Sequence, residues 1–261
     1  MKISLFLIML SVLVWGGSVP CVVHAHSSLS QISISGQDAL AVKLTQGGVT
    51  TILPTPSEFM KEIDGLYDEV YVKDLDGNGM NEVIFQMAQG SVNACLRVLK
   101  YDAVDGLLHE LKFAGAGLCN IKEEMGHLVS SYRVGGAWVE DIYDFVDGTP
   151  RLIVSDACIG CSEVRRRELN SSGSYTQLLV SNGENYKQRK PLVGKVRSVR
   201  ARIYASPVNS AVTRKYLVRG DEIMILGYQP SDELWVKFRY RASAATEGWI
   251  KCSDVERSNV C

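Results

Sequence analysis

The chain has 261 residues and a formal net charge of −1, because 28 Lys and Arg stand against 29 Asp and Glu. A chain this close to neutral lacks the broad positive field that nucleic-acid binding needs, so we expect no nucleic-acid partner. Hydrophobic residues make up 46% of the chain, as in ordinary globular proteins, and this excludes disorder throughout. The length allows one or two domains.

Residues 1–25 have the layout of a secretory signal peptide. Lys2 precedes an apolar run over residues 3–15, and Val23-His24-Ala25 supplies a small-residue cleavage site. The run is short for a membrane span of about 20 residues, which disfavours an uncleaved anchor. Lipid attachment at Cys21 is disfavoured because Pro20, just before it, is not a small residue. The sequence therefore predicts a periplasmic protein without a transmembrane segment after cleavage, in preference to a secreted or lipid-anchored one.

Removal of the signal peptide leaves an even number of cysteines, which in an exported chain indicates disulfides. Proximity along the chain favours three pairs: Cys95 with Cys119, Cys158 with Cys161, and Cys252 with Cys261. The Cys158-Ile-Gly-Cys161 segment has two alternatives. A redox pair would need a strand–CxxC–helix unit, whereas the surroundings indicate hairpins, and a zinc site would need a second Cys/His pair.

The mature chain is predicted to be all-β, with one possible short helix near residues 56–67. A six-residue pattern, Tyr-Asp-x-Val-Asp-Gly, occurs at residues 101–106 and again 42 residues later at 143–148. Each copy is a strand that ends in an Asp-Gly hairpin turn, and this spacing is typical of four-stranded propeller units. Two copies do not close a ring. We therefore expect residues 26–192 to form a propeller-like antiparallel β domain.

A basic connector over residues 187–195 leads into a segment with a different pattern. Five short strands, a Gly220-Asp221 turn and a closing Gly248-Trp249 pair make residues 196–257 resemble a bacterial SH3-like domain, which implies a small barrel with a disulfide-closed tail to residue 261. In such a barrel Trp235 and Trp249 are expected to pack rather than to bind a ligand.

The strongest local motif is the acidic loop, residues 74–82. Oxygen-bearing side chains alternate along it, and two glycines allow a tight turn, as in loops that bind Ca²⁺. The predicted ligands are Asp74, Asp76, Asn78, the Met80 carbonyl and Glu82. An EF-hand would need Glu at the twelfth position, where Phe85 stands, so the motif resembles the strand–loop–strand calcium loops of integrin-like β repeats, with a structural role for the ion. The alternative is a solvated turn without metal.

A second motif, Ser172-Gly173-Ser174-Tyr175, matches the Ser-Gly-x-Tyr pattern of periplasmic lysozyme inhibitors. It lies at a turn between two predicted strands. Gly173 would allow a sharp, projecting turn, and the Ser172 and Tyr175 hydroxyls would face the carboxylate pair of a glycoside hydrolase. The alternative is an ordinary Ser/Gly hairpin turn.

Together these features resemble a family of periplasmic immunity proteins over residues 60–190. The resemblance implies inhibition of a lysozyme-like peptidoglycan hydrolase, whose cleft a loop tyrosine, here Tyr175, would block. The sequence has no Ser-hydrolase elbow, P-loop, dinucleotide-binding pattern or H-E-x-x-H motif, so we expect a protein that is not an enzyme. Two alternatives stay open: an envelope module that binds peptidoglycan through the SH3-like segment, and a structural envelope protein with no dedicated partner.

Overall fold

The computed structural model describes residues 30–36, 40–88, 92–170, 172–231 and 233–256. Within these ranges the chain forms 21 β-strands and one α-helix, and the strands pair antiparallel in four sheets, which confirms the predicted all-β class. None of the helices described there is long and apolar enough to cross a membrane. The predicted signal peptide, residues 1–25, lies outside the described residues.

The chain opens with a three-stranded sheet followed by the helix. The strands are β1 (Gln31–Ser35), β2 (Ala41–Gln46) and β3 (Val49–Leu53), and the helix is α1 (Ser57–Ile63), within the predicted segment. Phe59 and Ile63 lie one turn apart on α1 and are both buried. The Phe59 ring meets Phe85 edge-to-face, with centroids 5.1 Å apart, so the helix packs onto the next sheet.

That sheet is formed by β4 (Tyr67–Lys73), β5 (Glu82–Met87), β6 (Cys95–Asp102), β7 (Leu107–Glu110) and the short β8 (Leu118–Cys119). Its strand β5 is covered on both faces. Val83 and Phe85 join the core with β1–β3 and α1, whereas Ile84 points the other way, into a core shared with the following sheet. The alternation of a β-strand thus places one strand in two cores.

The following sheet has six strands in a simple meander. They are β9 (Lys122–Glu124), β10 (His127–Val134), β11 (Ala137–Val146), β12 (Thr149–Ile159), β13 (Glu163–Leu169) and β14 (Tyr175–Ser181). Leu128 and Tyr143 from this sheet pack against Ile84, Val98 and Leu118 of the previous one. The two sheets therefore share a hydrophobic core.

Each copy of the repeated Tyr-Asp-x-Val-Asp-Gly pattern lies at a hairpin, one in each of these two sheets. Its first copy ends β6 and turns into β7, and its second copy ends β11 and turns into β12. In the second turn both Asp147 (φ 50°) and Gly148 (φ 70°) are left-handed, as a two-residue hairpin turn requires. The two hairpins differ in length, since four residues separate the paired ends Asp102 and Leu107 and two separate Val146 and Thr149.

The last sheet has seven strands, two more than the sequence predicted. They are β15 (Val193–Val196), β16 (Arg200–Tyr204), β17 (Val212–Val218), β18 (Glu222–Pro230), β19 (Leu234–Arg241), β20 (Ala245–Lys251) and β21 (Val255–Glu256). In space their order is β17-β16-β20-β19-β18-β15-β21. Trp235 is buried against Tyr204, with ring centroids 4.8 Å apart, in the packing role expected of it.

The basic connector is not a solvated linker. Arg189 is buried and forms ion pairs with Glu140 of β11 (2.7 Å) and Asp156 of β12 (2.8 Å). Leu179 of β14 also lies in the core of the seven-stranded sheet. The connector is therefore anchored on the meander, since a buried guanidinium needs carboxylate partners and Glu140 and Asp156 supply them.

Two of the predicted disulfides are present. Cys95 and Cys119 face each other across β6 and β8, and Cys158 and Cys161 close the turn between β12 and β13. Strand β13, not a helix, follows the second pair, so the strand–CxxC–helix unit of a redox site is missing there. Cys261, the predicted partner of Cys252, lies outside the described residues.

Candidate functional site

The acidic loop joins β4 to β5, where Lys73 and Glu82 form the last paired residues of the two strands. It brings together three carboxylates. One oxygen each from Asp74, Asp76 and Glu82 lies within 4.8 Å of the other two. Oxygens bound to one calcium ion at about 2.3–2.6 Å are at most about 5 Å apart, so this spacing fits a single ion.

Backbone hydrogen bonds fix the shape of the acidic loop. The Asp74 carboxylate accepts the N–H groups of Gly77 and Gly79, each at 2.8 Å, and both glycines have positive φ. Asp76 accepts the N–H of Asn78 at 3.1 Å. Since three backbone donors converge on two carboxylates, the loop is held in its turn before any ion binds.

Asn78, one of the predicted ligands, makes hydrogen bonds within the loop. The Asn78 side-chain oxygen accepts the Met80 N–H at 2.7 Å, and the Asn78 amide nitrogen donates to Asp76 at 3.0 Å. Asn78 therefore supports the loop through internal hydrogen bonds, and the carboxylates form the centre of the cluster.

Lys100, which the sequence reasoning missed, reaches this cluster from β6. Its ammonium donates to the Asp76 carboxylate and to the Gly148 carbonyl (2.9 Å), and it lies 3.9 Å from Glu82. Gly148 has φ 70°, a conformation that residues with a side chain rarely adopt, and a Cβ there would meet the Lys100 ammonium. The only sequence signal is indirect: Lys100 directly precedes the first copy of the repeat, and Gly148 ends the second.

Glu82 is the most deeply buried member of the cluster, at 1% exposure. The pKa of its carboxyl is raised to about 7, chiefly by burial and also by neighbouring Asp76 and Asp74, while the Leu75 N–H (2.8 Å) and Lys100 oppose the rise. Three acidic side chains thus face one lysine. The cluster can hold a divalent cation, which would compete with the Lys100 ammonium for Asp76.

The Ser-Gly-x-Tyr turn, residues 172–175, joins β13 to β14 as predicted, and Leu169 pairs with Tyr175 at its base. Asn170, also missed, holds it together. Its backbone N–H donates to the Ser174 carbonyl (2.9 Å), and its side chain accepts the Ser172 hydroxyl (2.7 Å) and donates to the Ser174 hydroxyl (2.5 Å). Gly173 is left-handed at φ 78°. The turn is therefore internally braced.

Tyr175 projects from this turn. It is 58% exposed, and its hydroxyl makes no hydrogen bond to the described residues. The Arg167 guanidinium lies over its ring at 5.8 Å from the centroid. The Ser172 hydroxyl, predicted to donate to a hydrolase carboxylate, donates to Asn170 within this chain. The serine hydroxyls of the motif are thus engaged within the turn, whereas the phenol is free of hydrogen bonds to the described residues and has a cation beside it.

No family model matches the chain, and no curated protein matches it. Among solved structures, the chain is similar to one described as "Structure of a Xanthomonas Type IV Secretion System related protein". The identity is 14% and the TM-score 0.35, over 56% of this chain and 85% of the other. A similarity this low assigns no function, so any functional assignment depends on the geometry of the two loops.

Proposed function

We propose that this protein is an exported inhibitor of a lysozyme-like peptidoglycan hydrolase, and that it inserts the Ser-Gly-x-Tyr turn into the enzyme's cleft. The observation that supports this proposal is the exposed phenol of Tyr175 at the end of a braced hairpin turn. The disulfides Cys95–Cys119 and Cys158–Cys161 fit a protein of an oxidising, extracytoplasmic compartment.

The chemistry of the turn suits an acidic cleft. Glycoside hydrolases of this type carry two carboxyl groups at the scissile bond, one of them ionised. The Tyr175 hydroxyl donates a hydrogen bond to such a carboxylate, and the Arg167 guanidinium beside the ring adds a favourable charge. Because Asn170 already fixes the turn, little conformational entropy is lost on insertion.

The acidic loop has a structural role in this proposal. A calcium ion held by Asp74, Asp76 and Glu82 would neutralise buried carboxylates and hold the β4–β5 turn closed. The ion would stabilise the sheets that carry the inhibitory turn, without contacting the hydrolase.

The test is an inhibition assay with the mature chain, residues 26–261, against a panel of lysozyme-type hydrolases. Tyr175→Ala should weaken inhibition about 30-fold, the loss of a hot spot of about 2 kcal/mol. Tyr216→Ala is the matched control, because Tyr216 is also exposed on a strand and stacked on an arginine. Failure to inhibit every enzyme of the panel, or equal losses in the two variants, would refute the proposal.

The alternative function, peptidoglycan binding through residues 196–257, predicts retention of the mature chain on purified sacculi whether or not Tyr175 is replaced. Inhibition and sacculus binding are measured on the same two variants. Retention without inhibition would favour the alternative.

A further inference from the structure

The net charge of −1 hides a strong separation of charge along the chain. Residues 185–220 contain ten Lys and Arg and no Asp or Glu. Once those ten are subtracted from the total of 28, the rest of the chain has 18 Lys and Arg against 29 Asp and Glu. Such asymmetry within one chain is typical of proteins that meet an anionic surface.

Four of these ten cations lie on one hairpin of the seven-stranded sheet. We define the basic hairpin as β16 and β17, residues 200–218. Strand β17 is the edge of the sheet and pairs only with β16. Side chains alternate between the two faces of these strands, and Ala201, Ile203 and Leu217 are buried in the core. The exposed side chains that alternate with them are those of Arg200, Arg202, Val212, Arg214, Tyr216 and Val218.

The cations of the basic hairpin lack ion pairs with the part of the chain that the structure describes. Among the described residues, no ion pair joins Arg200, Arg202, Arg214 or Lys215 to a carboxylate. These four line a shallow groove of about 290 Å³ together with Tyr216. The Arg200 guanidinium lies 4.1 Å from the centroid of the Tyr216 ring, which holds both side chains extended across the two strands.

Apolar side chains are interspersed with these arginines. Val212, Tyr216 and Val218 are each more than two-fifths exposed, and Val199 and Val208, just beyond the two ends of β16, are more exposed still. In the register, Val218 stands opposite Arg200 and Tyr216 opposite Arg202. The surface therefore alternates cations with apolar and aromatic groups.

We propose that the basic hairpin docks on an anionic phospholipid surface, with its arginines on lipid phosphates and its valines and Tyr216 at the headgroup boundary. Guanidinium groups bind phosphate oxygens in pairs, and Lys and Arg near an anionic bilayer each add about a fivefold gain in partition. Tyrosine is favoured at the membrane interface because its ring is apolar and its hydroxyl is wet. The proposal is independent of the inhibitory turn, which lies on another sheet.

Two other occupants fit this surface less well. A soluble polyanion would engage the cations but gives no reason for the exposed valines. A second copy of the chain offers acidic surface, yet charged side chains on an edge strand oppose strand-to-strand pairing. Both alternatives predict results that differ from lipid binding and can be measured.

The test is co-sedimentation of the mature chain with vesicles of phosphatidylcholine alone, or of phosphatidylcholine and phosphatidylglycerol in equal parts. Binding is expected only to the second, and it should fall as salt rises. The double variant Arg202→Gln with Arg214→Gln should lower partition about 25-fold, since two cations are lost. Tyr216→Ser should weaken binding to vesicles but not to a soluble polyphosphate.

The matched control is Arg133→Gln with Arg165→Gln, which removes two exposed arginines of the meander and changes the net charge equally. Equal losses in the two double variants, or no binding to phosphatidylglycerol, would overturn the proposal. The proposal would also be overturned if a soluble anion bound as tightly as the vesicles did and its binding were unaffected by Tyr216→Ser. The soluble anions to test are polyphosphate, inorganic phosphate and duplex DNA. A third outcome would assign the hairpin to self-association instead. In that case the protein does not bind vesicles, and it forms a salt-sensitive dimer that Arg202→Gln with Arg214→Gln abolishes.

Discussion

The acidic loop and the Ser-Gly-x-Tyr turn both join neighbouring antiparallel strands, yet they direct their polar groups oppositely. In the acidic loop, Asp76 and Glu82 have side chains only 1% exposed and are surrounded by donors. In the turn, Tyr175 stands 58% exposed with its hydroxyl unused by the described residues. Polar groups satisfied inside the fold contribute to stability, whereas groups presented outward are available for recognition. Substitutions in the acidic loop should therefore change stability, whereas substitutions in the Ser-Gly-x-Tyr turn should change inhibition.

The largest effect should come from Asp74→Ala. The carboxylate accepts two backbone N–H groups at 2.8 Å, so its loss should cost about 4 kcal/mol of unfolding free energy. Chemical denaturation measures this. Asp68→Ala, at an exposed position of β4, serves as control and should change stability by less than about 0.5 kcal/mol. Similar effects of the two substitutions would remove the structural role of the loop.

The change of stability with pH should be slightly smaller than the effect of Asp74→Ala. Because burial raises the pKa of Glu82 to about 7, the folded state retains a proton that the unfolded state releases near pH 4.5. Without calcium, the unfolding free energy should therefore fall by roughly 3 kcal/mol as pH rises from about 4.5 through about 7. Glu82→Gln should flatten this slope, and so should saturating calcium. A slope unchanged by Glu82→Gln would assign it to other groups.

Lys100→Met should give an effect of about 1–2 kcal/mol whose sign depends on calcium. Without the ion, the variant loses the ammonium that contacts Asp76 and should be less stable. With the ion, the competing charge is gone, so calcium should bind more tightly and raise the melting temperature more than in the wild type. Calcium titrations followed by thermal melting decide this. If calcium left the melting temperature of both proteins unchanged, the acidic loop would not be a calcium site, and Lys100 would be the cation that balances its carboxylates.

Local sequence patterns predicted the strands and turns of this molecule, but they did not predict contacts between residues far apart in the chain. Turns, strand alternation and the Cys158–Cys161 pair depend on neighbours within a few residues, and these are present. The contact of Lys100 with Gly148 depends on how two sheets stack, which no local pattern encodes. The burial of Arg189 escaped for the same reason, because its carboxylate partners lie far away in the chain.

The smallest predicted effect tests whether the turn recognises its partner as a preformed unit. Asn170→Ala removes the side chain that bonds Ser172 and Ser174, and it leaves Tyr175 in place. The turn must then be ordered on binding, so inhibition should weaken by about 1 kcal/mol, roughly fivefold, with the melting temperature nearly unchanged. Asn182→Ala, at an exposed position after β14, is the control. An unchanged inhibition constant would mean that the phenol alone determines affinity, whereas a loss matched by lower stability would make Asn170 a structural residue like those of the acidic loop.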